Sequence, residues 1–123
     1  DGNTSIVTNR LRELAQNLSP IVHFMNDKQR QALHVAAVFV NNFTNHLLTL
    51  GAEICQDFNV PFPILQPLIR ETFEKVQSIP PKIAQTGPAI RGDYPTLQKH
   101  LMLLQNYPDK QLLYQLISES IAK

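Results

Sequence analysis

Cysteine is nearly missing from this chain: its one thiol, Cys55, excludes an internal disulfide and fits a reducing compartment. Glycine is scarce too. The four present, Gly2, Gly51, Gly87 and Gly92, never make the spacing G-x-G-x-x-G, so the phosphate-binding turn of a dinucleotide fold is lacking. No charge of one sign dominates. The net charge is +1 and lysines and arginines do not cluster, which excludes a nucleic-acid footprint. The opening residues, DGNTSIVTNR, are polar and do not read as a signal peptide. A soluble, cytoplasmic protein is expected, and 43% apolar residues over 123 positions can build one core.

The most informative absence is local. Residues 31–52, QALHVAAVFVNNFTNHLLTLGA, hold no Asp, Glu, Lys or Arg. From Asp27, read as the N-cap, a helical pattern runs without proline to about Asp57, a length of about 45 Å at 1.5 Å per residue. A solvated helix face carries charges, and this stretch has none on any side. Leu33, Ala36, Phe39, Val40, Phe43, Leu47, Leu50 and Ile54 form a broad apolar side, while His34, Asn41 and Asn45 fall within about 40° of one another opposite it. Asn42 and His46 stand about 80–120° round from His34. Two histidines, three asparagines and two threonines make membrane insertion expensive. A helix covered by its own domain on one side and by a partner on the other is expected. The polar row is either a set of core groups satisfied by backbone or a site or interface.

The remaining elements follow from punctuation. Residues 4–18 have helical apolar spacing, and PIVHFM (20–25) reads as a strand or a buried extended linker. PILQPLIRETFEKVQSI (63–79) reads as a helix with Pro67 in its first turns. Residues 80–93 read as a Pro/Gly-rich loop. Asp93 caps a helix running to about Gln105, and Pro108 or Asp109 starts the last, striped by Leu112, Leu113, Leu116, Ile117 and Ile121. From residue 27 onward the chain is expected to be all-α, built around the long helix.

Two chemistries find little support. His34 and His46 do not share a face of a regular helix, and no cluster has metal-ligand spacing, so no metal is expected. Cys55 lies near a helix C-terminus, where the dipole disfavours a thiolate. The stretch TGPAIRGD (86–93) is more suggestive. Thr86, Gly87 and Pro88 shape a turn, Arg91 can bind a carboxylate or phosphate in bidentate fashion, and Asp93 can cap the next helix or pair with Arg91. An Arg91–Asp93 clasp that only holds the loop stands as the alternative to a site.

HVAAVFVNNFTNHLLTL together with QTGPAIRGDYPTLQKHLMLL resembles the helical C-terminal domain of a family of Rossmann-like proteins described as NADP-dependent oxidoreductases. That domain, long catalogued as one of unknown function, is similar in architecture to the C-terminal domain of 6-phosphogluconate dehydrogenase. The resemblance covers about residues 27–121. It implies that residues 1–26 are the tail of a nucleotide-binding domain and 27–123 a dimerisation and substrate domain. NADP would then be bound by the longer parent, outside this chain. It implies a homodimer through the long helix 27–57, and a cleft holding His34, Asn41, Asn45, Thr86, Gly87, Arg91 and Asp93. Related β-hydroxyacid dehydrogenases carry K-x-x-x-N-N on this helix. Aligning that pair with Asn41 and Asn42 puts Ala37 at the lysine position, where no proton can be transferred, and leaves His34 as the nearest acid/base. A stand-alone helical interaction module is the rival reading.

Overall fold

The computed structural model describes residues 24–123, and among them every regular element is helical. The N-terminal helix and the strand expected over residues 20–25 lie outside the described residues, except Phe24 and Met25, which form a turn and an irregular step. The chain separates into two compact units, Asp1–Asp57 and Phe58–Lys123, and each is described by itself.

In the first unit one continuous helical rod runs from Asp27 to Asp57: α1 (Asp27–Ala37), a π-helical segment (Val38–Phe43), and α2 (Thr44–Asp57). It starts one residue earlier than the sequence indicates. Asn26, not Asp27, is the N-cap. Its Oδ1 accepts from the Gln29 N–H at 2.8 Å, while Gln29 Oε1 accepts from the Asn26 N–H at 2.9 Å. This reciprocal capping box satisfies two otherwise orphaned donors. Asp27 sits in the first turn instead, where its carboxylate meets the helix dipole and pairs with Arg30 at 3.0 Å. Gly51 does not interrupt α2. The chain leaves the rod through Asn59, whose φ of 59° is one that asparagine tolerates, and then meets Pro61 and Pro63.

The second unit is a series of short helices, most of them opened by proline. A 3-10 turn, Phe62–Leu65, leads into α3 (Gln66–Lys75), with Pro67 in its first turn. The helix stops four residues short of the expected Ile79. The N–H groups of Gln77, Ser78 and Ile79 turn back onto the Glu74 and Lys75 carbonyls, because Pro80 and Pro81 bar helical continuation. The expected loop 80–93 is more ordered than its composition indicates. It contains two single turns of helix, α4 (Pro81–Ala84) and α5 (Pro88–Arg91), each with proline in its first turn. Then follow α6 (Tyr94–Leu103) and α7 (Pro108–Ala122), both as expected. Gln111 Nε2 donates to the Leu101 carbonyl at 2.7 Å, tying α7 to the end of α6, where helix carbonyls lack partners.

Burial is sparse. Among the described residues only Ala89 and Leu104 are buried apolar side chains. The long rod has no buried residue, and Phe39 and Val40 are 60% and 73% exposed. Among the described residues the apolar side of this helix is exposed at Phe39, Val40, Phe43 and Leu47 and half-buried at Leu50 and Ile54, so the expected covering by its own domain is partial. No described helix is long and apolar enough to cross a membrane.

Candidate functional site

The rod places its polar residues differently from a straight α-helix, and the cause is the π segment. A π turn closes i→i+5 instead of i→i+4, so it admits one extra residue and sets everything after it back by about 100°, the angle of one residue at 3.6 per turn. Asn45, about 20° from His34 on a straight helix, is thereby carried to about 80° away. His46, about 120° away on a straight helix, returns to within about 20° of the His34 line. Asn42, inside the π segment, makes most of the same return. The row His34–Asn41–Asn45 is accordingly broken. His34, Asn42 and His46 take its place.

Asn42 is set apart by its environment as well. His34, Asn41, Asn45 and His46 are exposed, whereas Asn42 is half-buried, and its Oδ1 is shielded from solvent without any hydrogen-bond partner. A buried acceptor left unpaired costs about 1–3 kcal/mol, so such an atom calls for a donor from elsewhere. On a regular helix Asn42 stands about 80° round from His34, and neither composition nor periodicity signals the π turn that moves it. The one local cue is Thr44, whose Oγ1 donates to the Phe39 carbonyl five residues back at 3.3 Å. Beside it the Phe39 and Phe43 rings meet edge to face, centroids 4.9 Å apart.

The second group of candidates surrounds α5. Gly87 precedes it with φ 106° and ψ 171°, a region essentially closed to L-residues, and so aims Pro88 into the helical turn. Gly92 follows in the left-handed conformation at φ 65°. The Gly92 N–H donates to Ala89 O at 3.2 Å and the Asp93 N–H to Pro88 O at 2.9 Å, the paired bonds of a Schellman cap. Asp93 then caps α6: it accepts from the Thr96 N–H at 3.3 Å and from Thr96 Oγ1 at 2.8 Å. These Thr96 bonds, with a smaller contribution from Arg91, hold the Asp93 carboxyl below the usual carboxylate range.

This wiring decides what the loop can offer. The N–H groups of Gly92, Asp93 and Tyr94 all donate internally, so they do not form an anion nest. The structure brings Arg91 and Asp93 together at 3.6 Å, as the clasp reading requires, and the Arg91 side chain is 60% exposed. A long, part-exposed pair of this kind stabilises little and leaves guanidinium donors open to an external acid. Thr86 is exposed, and its carbonyl accepts from Gln85 Nε2 at 2.9 Å.

A cleft of about 190 Å³ opens between α6 and α7, with Tyr94, Leu97, Gln98, Tyr114 and Glu119 in its walls. None of the residues singled out from the sequence lines it. Tyr114 Oη and His100 Nδ1 share a hydrogen bond at 2.6 Å with their rings edge to face, and burial pushes the Tyr114 phenol upward. Among the described residues no three His, Cys, Asp or Glu side chains gather as a metal would require.

Comparison with known proteins adds three findings. No curated protein matches the chain. A crystal structure of a Bacteroides fragilis protein, described as a "putative NADP oxidoreductase", is similar to it with 49% sequence identity and a TM-score of 0.78. That match covers 80% of this chain and 38% of the other, so this chain spans well under half of the protein it resembles. Residues 1–121 match the family described as Domain of unknown function (DUF2520), and the chain belongs to that family.

Proposed function

We propose that this chain is the helical domain of an NADP-dependent oxidoreductase, in which it forms the dimer and one wall of the substrate cleft. The observation that carries the class is the 49% identity to the Bacteroides fragilis protein. The assembly role is supported by the open apolar side of the rod, where Val35, Phe39, Val40, Phe43 and Leu47 are all exposed. Obligate interfaces bury more than about 2,000 Å² and resemble a core cut in half, and such a face supplies the apolar half.

In this reading residues 1–26 end a nucleotide-binding domain and 27–123 make the helical domain of a cytoplasmic enzyme. The nicotinamide nucleotide is held by that first domain, since this chain has no glycine-rich βα turn to present N–H groups to a pyrophosphate. The substrate wall is the His34–Asn42–His46 line, with Asn41 and Asn45 at its margins. Arg91, shaped by Thr86 and Gly87 and steadied by Asp93, takes a substrate carboxylate or phosphate. His34 is the acid/base, because Ala37 cannot transfer a proton. The open face would equally serve a stand-alone interaction module, and cofactor binding separates the two.

Calorimetric titration of this chain with NADPH should show no binding below millimolar concentration, while the protein extended by a nucleotide-binding domain should bind. Micromolar binding to the chain alone would overturn the division of labour. Sedimentation equilibrium should give a dimer at tens of micromolar, and a clean monomer would remove the assembly role.

A further inference from the structure

The π segment interrupts a helix with no proline to force a break, in the only stretch of the rod where two asparagines are adjacent. Mid-helix π turns concentrate at functional sites, since they cost helix geometry and persist where something else requires them. Here the gain is one of register. On a straight helix Asn41 and Asn45 would share the His34 line, whereas the extra residue brings Asn42 and His46 to it. We propose that this π turn is a register device, with Thr44 as the positioning residue that holds it, and that it selects Asn42 over Asn45 for the His34 line of the rod.

Three observations converge on this. The Thr44 hydroxyl donates to the carbonyl of Phe39, five residues back, across the widened turn. Asn42 is half-buried while Asn41 and Asn45 on either side are exposed. The Asn42 Oδ1 is shielded and unpartnered, which suits a side chain held in place for a donor arriving from outside the chain. The class of ligand group is therefore a hydrogen-bond donor, a hydroxyl, amide or ammonium, and not an anion. The substrate role of this face belongs to the function proposed above. The register claim does not depend on it.

The test needs neither cofactor nor substrate. In a Cys55→Ser background, thiol-labelling rates are measured for Asn42→Cys and Asn45→Cys. The π register makes labelling at position 42 several-fold slower than at position 45. Deleting Val40, which is 73% exposed, removes the extra residue and should let the rod close as a continuous α-helix. One residue fewer at about 100° per residue leaves positions 42 and 45 at the angles the π turn gave them, so the order of the two rates should be kept, with far-UV circular dichroism unchanged. Thr44→Val, which keeps the β-branch and loses the hydroxyl, should narrow the ratio without loss of helix, and so covers the case in which the deletion fails to fold. Equal rates in the parent, an order that the Val40 deletion reverses, or a ratio that Thr44→Val leaves unmoved would overturn the proposal. An absence of NADP binding or dimerisation in the longer protein would leave these rates untouched and would count only against the proposed function.

Discussion

Replacing Gly87 by alanine isolates the backbone contribution of the loop that opens α5. A Cβ built at this position meets nothing within 4 Å, so crowding by neighbours contributes nothing and the whole effect comes from φ 106° and ψ 171°. Holding an L-residue in such a region costs about 1–3 kcal/mol. Removing glycine's extra freedom from the unfolded chain returns about 0.4–1 kcal/mol. The net loss is then about 1–2 kcal/mol, a factor of roughly 5–30 in the local opening equilibrium. The reporter is the Asp93 amide, whose hydrogen bond to the Pro88 carbonyl at 2.9 Å breaks when the α5 turn opens. Its hydrogen exchange should therefore accelerate by roughly 5–30-fold in Gly87→Ala. Gly92→Ala, at φ 65° in the left-handed region, should accelerate it less, since that conformation costs an L-residue about 1–2 kcal/mol before the same return. D-alanine introduced at position 87 by chemical ligation supplies the mirror test: positive φ is its ordinary territory, and exchange should stay the same or slow. Exchange unchanged in Gly87→Ala, or accelerated equally by both enantiomers, would refute the reasoning.

Three further outcomes follow from the contacts described above. The Asp93 carboxyl is lowered in the folded chain by Thr96 first and Arg91 second, so its contribution is present above the ordinary carboxylate range and lost as pH falls through the folded-state value. Asp93→Asn should remove that acid-side loss of α6 helicity, read by circular dichroism against pH, and an unaltered acid limb would count against the cap. Leu104→Ala, at one of the two buried apolar positions among the described residues, should destabilise by about 2–5 kcal/mol in urea titration, and a change within error would show that Leu104 anchors nothing. Phe39→Lys should leave helicity intact but shift sedimentation from dimer to monomer. An unaltered dimer would move the interface to another face.

The frame of the fold was legible because its boundaries are local chemistry. Prolines 67, 81, 88, 95 and 108 all fall in first turns, and Asp93 caps α6 as its spacing before the apolar run indicates. The ordered turns at 81–84 and 88–91 were hidden because a single helical turn leaves no periodicity to read. The candidate residues were legible in kind but not in register. The uncharged run singled out the helix and its histidines and asparagines as candidates. A constant 100° per residue then propagated past Val38 and exchanged Asn42 and His46 for Asn45. At α5 the residue types were read correctly as a polar turn. That the Gly92 and Asp93 N–H groups are spent on the Schellman cap follows from the folded backbone and not from composition.

The near-absence of buried side chains among the described residues has a thermodynamic reading of its own. Heat-capacity change and denaturant sensitivity both scale with the apolar surface that unfolding releases. A chain that leaves Phe39, Val40, Leu112 and Leu116 in water while folded has little left to release. By itself it should melt over a broad span of temperature, respond weakly to urea, and show a flat stability curve. Covering its open faces would sharpen all three at once. The steepness of the transition, more than its midpoint, then reports how much of the molecule's surroundings is in place.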